Sequence, residues 1–476
     1  MNKQKITYAL TMAAFLGSAA LFPASASEIQ SAGNGALSNT NVQATSSNAT
    51  NVNQDNSTMA TNNVQANANT GDNTASFNTG SAVNVQTGAA NAAVGITNMA
   101  GSNKANVAGS GGTGAQNIAA GGNGAFSNTD VNTNNSSTST VDQANKTDFA
   151  NNVGINNTTG NNGANFNTGS DVNVNTGNAN AFVGIANSAG SNTAQVAGNG
   201  STGTSNVAVA GNGAFSNSNI GVNSNNSSSL NQSDITKIAN DVALSNSTGG
   251  NGASFNTGSN VNVLSGNANS QVGITNLAGS NNAFVAGMGN NSNAGTNVTL
   301  LGNGAFSENN VTARNDLRSA LTQDNLSNVA NYLTTMNSTG NNNTGFNTGS
   351  NVMVQSGNAN SWVSLYNTPG VNTAYLLGRG AGGNTNIDVY GNGAFSDNNV
   401  GVSQNNSSSL DQENNSSIMN SIMEKSNTGG NSDSYGTGSW NDFMSSLMPS
   451  YSYNRSGNSS SSLQLNNLAS ANYLMN

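Results

Sequence analysis

The sequence predicts an all-β protein built as an elongated repeat, a β-solenoid or β-helix, on three observations. A block returns at fixed spacing, its copies share an alternation of period two, and the composition is too poor in apolar residues for a conventional core. Only 34% of the 476 residues are apolar and 6% are charged, with 57 Gly and 3 Pro. Disordered chains of low hydropathy are usually rich in Pro, Glu and Lys, whereas Asn, Gly, Ser and Thr fill this one. Such residues order when backbone and side-chain amides form regular hydrogen-bonded ladders. Stacked β-sandwich repeats and a curlin-like amyloid fold are the alternatives within the same class.

The first element is an export leader at 1–26. Lys3 and Lys5 precede the apolar run ITYALTMAAFLGSAALF, and Ala24 and Ala26 stand in A-x-A spacing, so cleavage is expected after Ala26. No later segment is apolar enough to span a bilayer. These features predict a secreted or cell-surface protein. The leader removes two of 10 basic residues, leaving 8 against 19 acidic ones, a net charge of −11. That balance argues against nucleic acid or an anionic lipid surface as partner.

The repeats follow. GNGALS at Gly33 returns as GNGAFS at Gly122, Gly211, Gly302 and Gly391, spaced by 89, 89, 91 and 89 residues. FNTGS keeps the same frame at Phe77, Phe166, Phe255 and Phe346, and Tyr435 in SYGTGS lies 89 further on. The units are therefore 33–121, 122–210, 211–301 and 302–390, with a partial fifth at 391–440 that breaks down after Trp440.

Segments such as DITKIANDV taken alone pass for short helices, but alignment of the copies decides for strand. Val141, Gln143, Asn145, Thr147, Phe149, Asn151 and Val153 are matched by Leu230, Gln232, Asp234, Thr236, Ile238, Asn240 and Val242, while the residues between them drift. A recurrence of period two belongs to β-structure. On this parity Gln54, Gln143, Gln232, Gln323 and Gln412, with Asn62, Asn151, Asn240, Asn331 and Asn420, point inward with the apolar residues. An unpaired buried amide costs about 1 to 3 kcal/mol, so the ten are expected to bond along the stacking axis. Shorter strands are expected around Ile118 and Ala120, Val172 and Val174, Ala181 to Ile185, and Ala194 and Val196, between NTG, TGN, AGSN and GNG corners. Corners at this interval suggest three or four coils per unit, and hence a rod on the order of 70 to 90 Å long. The recurrent Phe126, Phe215, Phe306, Phe395 (Leu37 in the first unit), Phe77, Phe166, Phe255 and Phe346 read as packing knobs in the core.

Residues 441–476 depart from the pattern and read as a cap or tail. Trp440, Phe443, Met444, Leu447 and Met448 have helical spacing before Pro449, which predicts a short capping helix. Residues 450–462 read as a linker.

Catalytic and metal chemistry find little footing. There is no Cys and no His. GNGAFSNTD is similar to calcium-binding Gly-Asp nonapeptides, but Asp130 becomes Asn219, Asn310 and Asn399, and Asp171 becomes Asn260 and Asn351. No carboxylate pair recurs of the kind a polysaccharide lyase or hydrolase needs. No metal, no cofactor and no enzymatic activity are expected.

The blocks GNGAFSNTDV, VDQANKTDF, NTTGNNGANFNTGS and NTGNANAFVGIANSAGSN resemble a group of secreted Asn/Gly-rich surface proteins with ~90-residue repeats from candidate-phyla (Patescibacteria-type) bacteria. The resemblance covers about 33–440 and implies an exported surface protein. The amide ladder is more weakly similar to curlins, subunits of adhesive fibres. The expected role is structural or adhesive, at the bacterial surface or in its matrix, with self-association or surface polymers as partners. Carbohydrate-binding, ice-binding or fibre-forming roles are the alternatives.

Overall fold

The computed structural model describes residues 10–11, 16–18, 27–32, 36–80, 82–108, 116–121, 124–169, 171–197, 205–257, 260–286, 295–347, 351–377, 384–434 and 451–475. All regular structure among them is strand, every pairing is parallel, and no helix is long and apolar enough to cross a membrane. The expected cleavage site and the proposed helix at 440–448 lie outside the described residues.

Residues one repeat apart stack directly: Val141 pairs with Val52 on one side and Leu230 on the other, and Gln143 with Gln54 and Gln232. Each unit of 89 or 91 residues thus closes a single coil, which corrects the expectation of three or four. The reason lies in Asn128–Gly160, one uninterrupted strand of 33 residues. At about 3.3 Å per residue it spans about 110 Å. Its NNSSTST stretch looks turn-forming alone, yet every residue pairs in register with its counterpart in the coils above and below. Five coils about 4.8 Å apart rise only ~20 Å from first to last, so the molecule is a broad blade rather than a tall rod.

The second coil shows the path. An opening strand, Gln116–Gly121, leads into the long strand, followed by Gly163–Asn165, Asp171–Asn175, Ala179–Ser188 and Asn192–Ala197. These six positions generate six parallel sheets, each running through all the coils. The long strand forms one wall. Opposite it, in reverse order along its length, lie Ala179–Ser188, Asn192–Ala197 and the next coil's opening strand, Ser205–Ala210. The cross-wall bonds fix that order: Asn157 Nδ2 donates to Asn180 O (2.7 Å), Gln143 Nε2 to Thr193 O (3.1 Å), and Asn135 Nδ2 to Ser205 Oγ (2.8 Å).

Alternation along the long strand places Val131, Val141, Phe149, Val153 and Ile155 inside. They pack respectively on Val207 and Val209, on Ala194 and Val196, in a column with Ile238 and Val329, and on Val183 and Ile185. Ala164, Val172 and Val174 fill a separate lobe beyond the long strand's end. At about 25 cal/mol per Å² of apolar area this thin core contributes little per residue, which leaves a large share of the ordering to hydrogen bonds. The long strand ends at a glycine column. Gly160, Gly249 and Gly340 have φ of +151°, +140° and +116°, and a Cβ on any of them would collide with the carbonyl oxygen of the glycine one coil on.

Insertions fall between strands. The two extra residues of the third unit lie between Asn281–Ala286 and Thr296–Leu301, since pairing shifts from 89 to 91 residues there. In the fifth coil the offset grows to 100 between Ser432–Ser434 and Tyr451–Arg455. The region read as linker and tail is therefore not one: Tyr451–Arg455, Ser459–Asn467 and Asn472–Met475 pair with the fourth coil and complete the fifth. At the other end the first coil opens with Ser27–Ala32, starting at the first residue after the expected cleavage site. Leu10–Thr11 and Leu16–Ser18, inside the apolar run of the leader, pair with the outer edges of Ala90–Met99 and Asn103–Ala108.

Candidate functional site

The most organised chemistry in the molecule is its stack of amide ladders. Asn151 points inward from the long strand because its parity matches that of Val153, and it meets Asn187 from the opposite wall. Asn151 Nδ2 donates to Asn187 Oδ1 in its own coil (3.1 Å) and to Asn240 Oδ1 one coil up (2.8 Å). Its Oδ1 accepts from Asn62 (2.8 Å) and Asn98 (2.9 Å). Both N–H groups and both acceptor sites are thus used, so a full amide is buried without an orphaned atom. The zipper continues through Asn240 with Asn276, Asn331 with Asn367, and Asn420 with Asn467.

The ten residues expected as a ladder occupy it. Gln232 Nε2 donates to Gln143 Oε1 (2.8 Å), Gln323 to Gln232 (2.8 Å) and Gln412 to Gln323 (2.7 Å). The glutamine ladder donates toward the first coil and the asparagine ladder toward the fifth, so their dipoles oppose. Sequence reasoning missed the facing column, Asn98, Asn187, Asn276, Asn367 and Asn467. It also missed a second zipper pairing Asn56, Asn145, Asn325 and Asn414 with Asn103, Asn192, Asn281, Asn372 and Asn472. The signal was present, since Asn98, Asn187 and Asn276 recur 89 apart. Asn next to Gly and Ser reads as turn chemistry when its partner is unknown.

One rung of the second zipper is a carboxylate. Asp234 is buried where the other coils have Asn, and Thr236 Oγ1 donates to its Oδ1 (3.1 Å). Burial pushes its pKa from 3.8 to about 7, opposed by the Thr236 and Asn145 hydrogen bonds. Burial likewise raises Glu424 in the fifth coil, opposed by Ser361. Arg314 and Asp316 pair at 2.9 Å, and no group of three metal-ligating side chains occurs among the described residues.

The phenylalanines are not core knobs. Phe126, Phe215 and Phe306 are 59%, 52% and 52% exposed, and they stack face to face at 5.0 to 5.1 Å, ending on Phe395. Phe77, Phe166, Phe255 and Phe346 form a second column at 4.8 to 5.0 Å. All eight have φ between 54° and 61°. Their backbones turn corners in the left-handed region, which breaks the alternation and throws the rings outward. A non-glycine residue held there costs about 1 to 2 kcal/mol. Stacking on a neighbouring ring returns about 0.5 to 1.5 kcal/mol for each pair.

Outward amide columns complete the surface: Asn173 donates to Asn84 and Asn262 to Asn173, and Asn91, Asn180, Asn269 and Asn360 continue in the same way. Fold and ladders define the class: a parallel β-solenoid with one repeat per coil, zipped inside and out by side-chain amides. Comparison with known proteins gives no match, whether to a family model, a curated sequence or a solved structure.

Proposed function

We propose that the protein is an exported, non-catalytic structural component of the cell surface or surrounding matrix, which presents its broad Asn, Ser and Thr faces for adhesion. The observation that carries this reading is the ladder system itself. The organised polar side chains bond to their own copies along the stack, an arrangement suited to rigidity rather than to turnover of a substrate. A leader-like N-terminus and the Asn/Gly-rich repeat resemblance support export. A carbohydrate-binding role for the phenylalanine columns is less favoured, because sugars stack on ring faces and here those faces cover one another, leaving mainly edges to solvent.

The test is fractionation of the producing cell with N-terminal sequencing, alongside a deletion strain assayed for attachment. The expected result is chain at the surface or in the medium beginning at Ser27, with loss of attachment in the deletion strain. Retention inside the cell with Met1 intact overturns the reading.

A further inference from the structure

The ends of the stack carry more information than its middle. Among the described residues Asp397–Asn427 pairs only with Glu308–Gly340, and Asn39–Asn69 only with Asn128–Gly160, so each end offers a 31-residue parallel edge. We infer that these ends are complementary and that copies of the chain join head to tail, the fifth coil of one beneath the first coil of the next, in the register of the internal repeat. The inference rests on the structural reading above and names its partner as a second copy.

Side-chain polarity selects this arrangement. At every internal step the lower Asn of the zipper donates upward: Asn62 to Asn151, Asn151 to Asn240, Asn240 to Asn331, and Asn331 to Asn420. Asn420 at the top therefore keeps an N–H directed outward, its Nδ2 being bonded to Asn467 alone (3.3 Å) among the described residues. Asn62 at the bottom presents Oδ1 with no donor among them. In this asparagine column donors crown the top and acceptors line the bottom, while in the oppositely running glutamine column Gln412 turns its acceptor to the top, so stacking fifth coil on first continues both ladders, whereas fifth on fifth sets Asn donor against Asn donor. The corner columns continue likewise: Phe395, 82% exposed, would meet Leu37, which has the same φ of about 60°. A heterologous contact without rotation to close a ring generates an open filament. Neither edge strand contains proline, and Asn39–Asn69 carries a single charge, Asp55, against five on Asp397–Asn427.

The register makes a sharp electrostatic demand. Through Asp324, Ser233 and Ala144, Glu413 lies in the column of Asp55. Both face outward and are exposed. Across the junction this is the single like-charge pair among the described residues, whereas Asp397 lies in the column of Asn39. Two carboxylates about 5 Å apart in water repel by about 1 kcal/mol, roughly five-fold in affinity.

The experiment is sedimentation and electron microscopy of the chain, both in full and from Ser27 onward, over a concentration series. The chain from Ser27 is expected to form filaments about 110 Å wide. The full chain, whose leader strands cover part of the lower edge, is expected to need more protein. E413Q lowers the half-assembly concentration of the Ser27 chain about five-fold, and E413K, which sets Lys beneath Asp55, lowers it further. D397N removes the same charge and leaves it within two-fold. Monomers in both forms at all concentrations and salt levels overturn the inference, as do filaments on which E413Q and D397N act alike. A chain that reaches the cell surface yet stays monomeric sinks this inference and leaves the proposed function standing; retention inside the cell does the reverse.

Discussion

At the scale of single residues, Asp234 is the one rung that breaks its zipper's chemistry, and it ties stability to pH. Its folded-state pKa of about 7 lies above the ordinary 3.8 because burial disfavours the charged form. Folding therefore holds the proton. The stabilisation is present in full below about pH 4 and is lost as pH rises through about 7, with an upper limit of ~4 kcal/mol. Denaturant midpoints for the native chain should fall between pH 5 and pH 8, and D234N, which restores the amide of the other coils, should remove most of that fall. Equal pH dependence in the two proteins would remove Asp234 from the account. The fully bonded amides make a second claim. Asn240→Ala strips partners from Asn151, Asn187, Asn276 and Asn331 and is expected to cost about 2 to 4 kcal/mol. Asn91→Ala on the outer face, whose amide oxygen accepts only from Asn180 among the described residues, should stay within about 0.5 kcal/mol. Chemical denaturation of the two variants measures the difference.

At the scale of elements, the corners invert a familiar preference. Phe215 has φ of 58° and stacks on both Phe126 and Phe306. Phe215→Gly loses two stacking contacts and sheds the left-handed strain, whereas Phe215→Ala loses the contacts and keeps the strain. Gly should therefore be the milder substitution by about 1 kcal/mol, the reverse of the order found within strands. Equilibrium unfolding that ranks Ala above Gly would show the backbone relaxing out of that region. These corners also mark the boundary of what was legible. Period two over 141–153 was readable because apolar and amide residues alternate there with the same parity in every copy. The strand's extension back to Asn128 was not, because Asn134 to Ser139 favour turns locally and are held straight by identical neighbours one coil away, a tertiary effect. The phenylalanines misled for a related reason: hydrophobicity argues for burial, and the positive φ that turns them outward is unusual for Phe.

At the scale of the whole molecule, the repeat period was plain in the sequence and its meaning was not. A fixed spacing says that copies are equivalent, but short turn-bounded blocks fit several coils per unit as well as one. What separates the two is whether equivalent residues touch, and Val141 lies directly between Val52 and Leu230. The same distinction has a solution test. Joining Ala210 directly to Gly302 removes residues 211–301, one full repeat, and leaves the opening strand Ser205–Ala210 leading into the long strand Glu308–Gly340 in unbroken register. Because coils depend mainly on their nearest neighbours, the shortened chain should fold with an unchanged β circular dichroism shape and somewhat lower resistance to denaturant. Its largest dimension is set by the length of one long strand and not by the number of coils. X-ray scattering from monomeric samples should therefore give a maximum dimension of about 110 Å or slightly more both before and after the deletion, although about a fifth of the mass has gone. A rod with several coils per repeat would instead shorten by about a fifth, and that result would overturn the one-coil register on which the amide zippers and the proposed filament contact both depend.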